Sequence, residues 1–205
     1  YGENWNVKGT IFKYKDFNIN LNKLSLIGGH QYINASSALL ACLTNKELEI
    51  RTLKFESFIQ KIKWEGRLQK VSGSFSKKYK DLNIWVDVAH NILGFRALKS
   101  WIINSNIINP IFIIGLGIKK DYVGIIKEIK KTNPSLIYFL SELNFYSHKA
   151  EKLKSFARKL EIDSYVGESI ESVLDYLNEK NITKKKKLII ITGSIGLIGD
   201  VLSRK

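Results

Sequence analysis

The sequence contains no methionine, a single cysteine and only five arginines among its 33 basic residues. Because methionine is missing even at position 1, we expect the chain to be the downstream part of a longer protein. The lone thiol of Cys42 excludes a disulfide framework and is typical of a reducing compartment, which predicts a cytoplasmic location.

Long apolar runs are also missing. No apolar stretch approaches the roughly 18 residues that a membrane-spanning helix needs, so we expect no membrane partner. The first ten residues, YGENWNVKGT, lack the apolar segment of a signal peptide. With 44% hydrophobic residues in a length of 205, the composition predicts a globular chain that holds one ordinary domain and part of another.

The net charge of +14 suggests a nucleic-acid-binding protein as one interpretation. Lysine supplies 28 of the 33 positive charges, however, and these lysines are spread along the chain. Proteins that read bases rely on arginine for its bidentate fork, so this composition indicates nucleic-acid binding only weakly. The run TKKKK at 183–187 precedes a predicted strand and is most simply a solvent-exposed turn. We therefore expect no nucleic-acid partner.

Residues 1–63 carry a strand pattern followed by helical patterns. The segments VKGTIFKY (7–14) and FNINLNKLSLI (17–27) predict two strands joined by a tight turn at Lys15 and Asp16. After the break at GGH, the spacing of small and apolar residues over 31–43 predicts a buried helix. One short helix and a connector are expected before Lys63. We interpret 1–63 as the end of a preceding domain.

Residues 64–205 form the second predicted domain, in which short apolar runs alternate with helical patterns. The runs lie at 83–88, 111–116, 136–140 and 188–192, with a weaker one near 162–166. The helical patterns lie near 92–104, 122–131, 148–160 and 169–179. This alternation predicts an α/β domain with a mainly parallel, Rossmann-like sheet that is covered on both faces.

Ligands of such sheets bind at the carboxyl ends of the strands, and polar residues follow three of the predicted strands there. They are Asp87, His90 and Asn91 after the first strand, Lys119, Lys120 and Asp121 after the second, and Thr192 and Ser194 after the last. Gly193 permits unusual backbone angles, and a helix that begins beside it would offer free N–H groups to an anion. Three such loops, together with Arg67, predict a site for a small charged molecule.

Each of these residues also has a structural interpretation. Asp87, Asp121 and Ser194 could each cap a helix. His90 could be a hydrogen-bonded, partly buried imidazole, and Arg67 could form a surface ion pair. The joint occurrence of these residues favours a functional interpretation, and the structural alternatives stay open at this stage.

Five motifs occur in the order and approximate spacing of one enzyme family. They are GGHQYINA (28–35), WEGRLQ (64–69), DVAHN (87–91), GLGIKKD (115–121) and IITGSIGLI (190–198). With them the chain resembles the carboxy-terminal half of the folylpolyglutamate synthase/dihydrofolate synthase family, within the Mur ligase superfamily. The resemblance implies that 1–63 ends the central Mur ligase domain and that 64–205 is the Mur ligase carboxy-terminal domain.

The activity that this resemblance implies is an ATP-dependent amide ligation in folate biosynthesis. ATP phosphorylates the carboxylate of dihydropteroate or a folate, and the amine of L-glutamate then attacks the acyl phosphate. Magnesium bridges the phosphates in chemistry of this kind. The implied ATP contacts are Asn34 at the base, Arg67 at the phosphates and Asp87 at the ribose hydroxyls.

The other matched residues are implied on the side of the incoming glutamate or of the phosphate. His90 is the implied catalytic residue, and Ser194 lines the same side. Lys120 and Asp121 resemble a Lys-Asp pair of the family. The magnesium ligands and the folate pocket belong to the amino-terminal half of the family, so no metal ligand is expected here. The resemblance implies a monomer in which that ATPase half is the partner.

The chain departs from the family pattern at several positions. Val88 stands where a glycine is usual, Ile92 where a proline is usual, and Lys119 where an acid is usual. Val88 adds bulk to a tight turn, from which we expect a looser placement of Asp87 and His90. None of the 14 glycines precedes a lysine, so the sequence has no P-loop, and we expect the chain alone to be inactive.

Two further functions compete with this interpretation. Gly193, Gly196 and Gly199 follow a predicted strand as in a dinucleotide fingerprint, but that fingerprint needs about 30 residues of βαβ structure and only six residues follow Gly199. A nucleotide-dependent oxidoreductase is therefore disfavoured. A truncated, non-catalytic relic or binding module of the same family stays open: the departures at Val88 and Lys119 favour it, and the missing methionine opposes it.

Overall fold

The computed structural model describes residues 5–45, 55–180 and 187–204, except for the side chain of Glu56. The chain divides into two compact units, Tyr1–Trp64 and Glu65–Lys205. Among the described helices, none is both long enough and apolar enough to cross a membrane.

In its described residues, the first unit contains a three-stranded antiparallel sheet and two helices. Its elements are β1 (Trp5–Lys8), β2 (Ile11–Tyr14), β3 (Phe17–Asn20), α1 (Gly29–Thr44) and α2 (Phe55–Ile59). The strand order is β1-β2-β3. Its core is formed by Phe12, Ile19, Leu21, Leu39 and Ile59.

The predicted hairpin differs in detail from the observed sheet. The single strand expected over 7–14 is two strands, because Gly9 adopts a φ of +61° and reverses the chain between them. The second predicted strand ends at Asn20 rather than at residue 27. There the Asn20 side chain accepts a hydrogen bond from the N–H of Asn22 at 3.0 Å, which forms a local turn that competes with strand extension.

The second unit is an α/β domain built around one six-stranded sheet. Its strands are β4 (Gln69–Lys70), β5 (Asn83–Asp87), β6 (Ile111–Ile114), β7 (Leu136–Leu140), β8 (Ser164–Gly167) and β9 (Leu188–Thr192). Its helices are α3 (Ser74–Lys78), α4 (Ile92–Asn104), α5 (Tyr122–Lys130), α6 (Ala150–Lys159), α7 (Ile170–Glu179) and α8 (Ile195–Ser203). The sheet order is β4-β5-β9-β6-β7-β8, and only the β4–β5 pair is antiparallel. The predicted α/β class with a mainly parallel sheet is confirmed.

Two helical layers cover the sheet, which explains why its central strands are apolar throughout. Strand β6 reads IFII and β9 reads LIIIT, and every residue of both strands is buried. Helices α4, α5 and α6 pack on one face through residues that include Phe95, Ile125 and Leu153. Helices α7 and α8 pack on the other face. Burying each large aliphatic side chain contributes about 1.5–3 kcal/mol, so this core dominates the stability of the domain.

The strand order predicts a crevice at the carboxyl edge of the sheet. Strand β9, the last in sequence, lies between β5 and β6, the first two long strands. The chain leaves β9 toward α8 on one face of the sheet, whereas it leaves β5 and β6 toward α4 and α5 on the other face. Loops that diverge to opposite faces leave a gap between them, and such gaps bind ligands in open α/β sheets. The polar loops predicted from the sequence are those that border this gap.

Candidate functional site

Asp87, the last residue of β5, holds two parts of the backbone together. Its Oδ2 accepts a hydrogen bond from the N–H of Leu68 at 3.0 Å, and its Oδ1 accepts one from the N–H of Ala89 at 2.9 Å. Leu68 adopts a φ of +44°, which turns its N–H toward the strand end. The carboxylate therefore joins the turn that carries Arg67 to the loop that carries His90.

The surroundings of Asp87 have opposing effects on the pKa of its carboxyl group. The side chain is only 8% exposed, and this burial raises the pKa of the Asp87 carboxyl. The N–H groups of Leu68 and Ala89, together with the positive charge of Arg67, oppose that rise. Arg67 is half-buried and close enough for its guanidinium to act on Asp87. The helix-capping interpretation of Asp87 is wrong, because Asn91 caps α4 through a 2.8 Å bond from the N–H of Gly94.

A second contact, between Gly66 and Val88, joins the same two segments. The N–H of Val88 donates to the carbonyl oxygen of Gly66 at 2.8 Å. Gly66 has a φ of +76°, and a Cβ atom on it would stand 2.8 Å from Val88 Cγ1 and 2.9 Å from Ile198 Cγ2. The side chain of Val88 is buried in the core, so its bulk is accommodated under the bare backbone of Gly66.

The ring of His90 is half-buried and has a defined orientation. Its Nδ1 lies 2.9 Å from the carbonyl oxygen of Val88. A carbonyl oxygen only accepts hydrogen bonds, so Nδ1 carries the proton and Nε2 is the basic nitrogen of the neutral ring. The structural interpretation of His90 as a hydrogen-bonded imidazole therefore holds for Nδ1. Nε2 is the atom that could take a proton from a ligand.

The end of β9 carries a buried hydroxyl on Thr192 and is followed by a half-buried one on Ser194. Thr192 is fully buried, and its Oγ1 donates to the carbonyl oxygen of Ala89 at 3.3 Å, so the expectation that it faces a ligand is wrong. Ser194 is half-buried and caps α8, where its Oγ accepts a hydrogen bond from the N–H of Gly196 at 3.2 Å. Ser194 thus places its hydroxyl at the positive end of the helix.

The loop after β6 places Lys120 and Asp121 at the start of α5. Asp121 is exposed and caps this helix by accepting from the N–H of Gly124 at 2.9 Å, as its structural interpretation predicts. The carbonyl oxygen of Lys120 accepts a 2.8 Å hydrogen bond from Nε2 of His148. His148 is buried and packs edge-on against Tyr122 at a ring-centroid distance of 5.0 Å. This support from His148 was not predicted, because His148 lies on a separate loop before α6.

Asn34 lies in the other compact unit, on the exposed face of α1. Its Nδ2 donates to Oε1 of the buried Gln31 at 3.2 Å, one helical turn earlier. That contact uses Nδ2 and leaves the side-chain oxygen Oδ1 of Asn34 available as an acceptor. Within the described residues, no three His, Cys, Asp or Glu side chains are grouped closely enough to hold a metal ion.

The structure therefore joins some of the candidate residues by direct contacts. Arg67, Asp87 and His90 lie on segments that the Asp87 carboxylate ties together, and Thr192 ties the same loop to the strand that leads to Ser194. Gly66 and Leu68 contribute backbone contacts to the same two segments and were not among the predicted site residues. The available signal was the motif WEGRLQ itself, which contains both residues.

No family model matches this chain. The chain is 24% identical over 179 residues to the dihydrofolate synthase/folylpolyglutamate synthase of Buchnera aphidicola subsp. Schizaphis graminum (strain Sg), a match that spans 84% of this chain and 39% of that protein. The chain thus spans less than half the length of the curated relative that it matches.

Solved structures give the same picture at the level of fold. The folylpolyglutamate synthase of Mycobacterium tuberculosis, solved with ADP and AMPPCP, superposes with a TM-score of 0.76 at 16% identity, covering 98% of this chain and 46% of that one. Escherichia coli FolC, solved with ADP, superposes with a TM-score of 0.75 at 21% identity, covering 99% of this chain and 46% of that one. The resemblance carried by the five motifs is confirmed, and it fits the carboxy-terminal half of these synthases.

Proposed function

We propose that this chain is the carboxy-terminal part of an ATP-dependent amide ligase, which adds L-glutamate to dihydropteroate, to folates or to both through an acyl phosphate. The observation that carries the proposal is the pair of hydrogen bonds from Leu68 and Ala89 to Asp87. These bonds hold a cation, a carboxylate and an imidazole on one edge of the sheet. The similarity to dihydrofolate synthase/folylpolyglutamate synthases supports the choice of reaction.

The proposed nucleotide contacts divide by chemistry. A carboxylate has about four acceptor positions, and the backbone uses two of those on Asp87, so two remain for ribose hydroxyls. Arg67 offers a planar fork of donors that matches a phosphate. Asn34 would contribute its amide to the base. ADP and AMPPCP accompany the Mycobacterium tuberculosis synthase, which supports a nucleotide as the ligand.

The residues proposed to contact the incoming glutamate are His90 and Ser194. Lys120 and Asp121 are proposed to lie on the side of the glutamate or of the phosphate. Because Nδ1 donates to the carbonyl oxygen of Val88, Nε2 of His90 carries the lone pair that accepts a proton from the incoming ammonium group of glutamate. Ser194 and the start of α8 favour the negative charge of a carboxylate or phosphate. Lys120 adds a positive charge, and its backbone carbonyl oxygen is held by the hydrogen bond from His148.

Magnesium would supply charge neutralisation at the phosphates when bound. A related synthase was solved with Mn, AMPPNP and L-glutamate, which supports a divalent cation in the complete reaction. The described part of this chain groups no three carboxylate, imidazole or thiol ligands. From the resemblance to the synthases, we propose that the metal ligands, the P-loop and the folate pocket lie in an amino-terminal half and that both halves act in the cytoplasm as one monomer.

Titration of the 205-residue chain with ADP by isothermal titration calorimetry tests the nucleotide assignment. We expect Arg67→Gln to weaken ADP binding by about tenfold, since a charge-assisted contact is lost. Arg158→Gln is the matched control, because it removes the same charge from an exposed position of α6. Equal affinity of the Arg67→Gln variant and the unchanged chain would contradict the assignment of Arg67.

Glutamate incorporation distinguishes a ligase from a relic. We expect ATP-dependent transfer of labelled L-glutamate to dihydropteroate or a folate when the full-length native protein is assayed. The 205-residue chain alone is expected to show none. Turnover by the isolated chain would overturn the assignment of the phosphate site to another half. No turnover by the full-length protein, with ADP binding retained, would identify a non-catalytic binding module.

A further inference from the structure

A basic pocket lies between helices α4 and α5 and shares no lining residue with the site described above. It encloses about 630 Å³, and its charged lining consists of Arg96, Lys127, Glu128, Lys130 and Lys131. Four cations and one carboxylate give this lining a net charge of +3. The rest of the lining is apolar or glycine, so the pocket combines a surplus of positive charge with an uncharged floor.

Glu128 is the organising residue of this pocket. It is only 5% exposed and receives three cationic donors: Lys131 Nζ at 2.8 Å, Lys99 Nζ at 3.0 Å and Arg96 Nε at 3.4 Å. The hydrogen bonds from Lys131 and Lys99 lower the pKa of Glu128 to about 2. The carboxylate is therefore ionised at neutral pH and draws three cations to one point.

The three cations retain more donors than Glu128 uses. An ammonium group has three N–H donors and a guanidinium has five. Arg96 gives only its Nε to Glu128, and its side chain is 58% exposed. Lys127 extends the same positive surface, and Lys130 adds to it with only a distant 3.8 Å contact to the exposed Glu161.

Close packing of the two helices fixes this arrangement. A Cβ atom on Gly124 would stand 2.5 Å from Cδ1 of Ile92, so α4 and α5 approach each other where α5 has no side chain. Arg96 and Glu128 follow these two residues by four positions, which places them one helical turn farther along the same faces. The contact at Gly124 thus brings Arg96 of α4 within hydrogen-bonding distance of Glu128 of α5.

We propose that this pocket binds a small multivalent anion whose negatively charged oxygens are closely spaced, such as an oligophosphate or a polycarboxylate. A single monovalent anion would leave most of the +3 surplus unmatched. A group with several charges engages Arg96 together with Lys127 and Lys130 while the bonds of Glu128 to its partners remain intact. The proposal is independent of the ligase function, since it uses none of the residues assigned to that reaction.

The test uses the 205-residue chain and two probes, inorganic tripolyphosphate and citrate, in calorimetric titrations at low salt. Binding of tripolyphosphate alone identifies a phosphate site, and binding of both probes identifies a general multivalent-anion site. We expect the variant Lys127→Gln/Lys130→Gln to weaken binding by about tenfold, because two donors to the anion are lost while the contacts of Glu128 are kept. The matched control, Lys80→Gln/Lys159→Gln, removes the same charge from exposed positions outside the pocket and is expected to change binding less than about twofold.

Two further variants separate an organised site from diffuse attraction. Glu128→Gln raises the net charge by one but removes the group that gathers the cations, so we expect binding about fivefold weaker, with folding checked by circular dichroism. Tighter binding by Glu128→Gln, or equal losses in the lysine pair and its control, would overturn the proposal. Arg67→Gln removes the cation assigned to the nucleotide phosphates and is expected to leave tripolyphosphate binding unchanged. Loss of binding in Arg67→Gln would place the anion in the nucleotide site instead, which also contradicts the proposal.

Discussion

Gly193 lies so close to Gly115 that a Cβ atom on residue 193 would stand 2.6 Å from the carbonyl oxygen of Gly115. Gly193 follows β9 and Gly115 follows β6, so this contact sets the width of the gap between the two strand ends. The N–H of Gly115 also donates to the carbonyl oxygen of Thr192 at 3.3 Å. The backbone that leads to Ser194 is therefore fixed by a contact that only glycine allows.

The first prediction is that Gly193→Ala destabilises the chain by about 2–4 kcal/mol. The φ of +109° at residue 193 is one that L side chains rarely adopt, and the added methyl group meets backbone rather than a movable side chain. Urea denaturation followed by circular dichroism measures the loss.

Gly199→Ala is the control for this prediction, because a Cβ atom at residue 199 meets nothing within 4 Å and the residue lies inside α8. We expect that variant to be neutral or more stable by up to about 1 kcal/mol, since alanine favours the helix. A Gly193→Ala variant as stable as Gly199→Ala would show that the approach to Gly115 is not required.

The regular part of the second unit was predictable because its signal is local. The strands at 136–140 and 188–192 and the helix at 92–104 have the predicted bounds, since continuous apolar runs and helical spacing each report burial directly. Strand β4 has two residues and helix α3 has five, which is too short for a period to emerge. The division of 7–14 into two strands depended on the backbone angle of one glycine, which sequence pattern does not reveal.

The candidate site was predictable as a set of loops but not as a set of contacts. The loops that carry His90 and Ser194 follow the ends of β5 and β9, where the sequence pattern predicted loops at the carboxyl edge of the sheet. The role of Asp87 depends on a hydrogen bond from Leu68, nineteen residues earlier, and a turn of that kind leaves no periodic signal. Two of the three partners of Glu128, Arg96 and Lys99, lie on α4, and only the fold brings that helix against α5. The roles of Asn34, Arg67, Asp87, His90, Ser194, Lys120 and Asp121 in the reaction stay predictions.

The second prediction concerns the dependence of stability on pH. The pKa of Glu128 falls from an ordinary value of 4.5 to about 2, so its ion pairs contribute fully above pH 4.5 and are lost as the pH falls from 4.5 toward 2. Because its partners Lys131 and Arg96 are more than half exposed, we expect this contribution to be only about 1–2 kcal/mol.

Comparison of the unchanged chain with Glu128→Gln at about pH 6 and about pH 2.5 measures that contribution. The free energy of unfolding of Glu128→Gln is expected to be lower at pH 6 and nearly equal to that of the unchanged chain at the lower pH. A constant difference between the two proteins across this range would contradict an ion-pair origin.

The third prediction separates capping from binding at Ser194. Ser194→Ala and Ser169→Ala each remove a helix N-cap whose hydroxyl accepts a 3.2 Å hydrogen bond, at α8 and α7 respectively. We expect each variant to lose about 0.5–2 kcal/mol of stability, because the same kind of contact is lost.

Only Ser194→Ala is expected to lower the apparent affinity of the proposed full-length ligase for glutamate or ATP, by about three- to tenfold. KM values for both substrates, measured beside thermal denaturation, supply the comparison. Matching KM changes in the two serine variants would reduce Ser194 to a structural cap.

The fourth prediction uses the two nitrogens of His90 as separate probes. In His90→Asn the side-chain amide can still donate to the carbonyl oxygen of Val88, as Nδ1 does at 2.9 Å, but nothing replaces Nε2. In His90→Gln the longer side chain places an amide near the position of Nε2, but an amide does not act as a proton acceptor in catalysis. We expect both variants to keep the stability of the unchanged protein within about 1.5 kcal/mol, because His90→Asn keeps the backbone contact and His90→Gln loses one hydrogen bond of a half-buried side chain. If Nε2 takes the proton from the attacking amine, both variants lower kcat of the proposed full-length ligase by about 100-fold or more. Stopped-time assays of labelled glutamate incorporation measure kcat, and full activity in His90→Asn would show that the ring serves only to hold the loop against Val88.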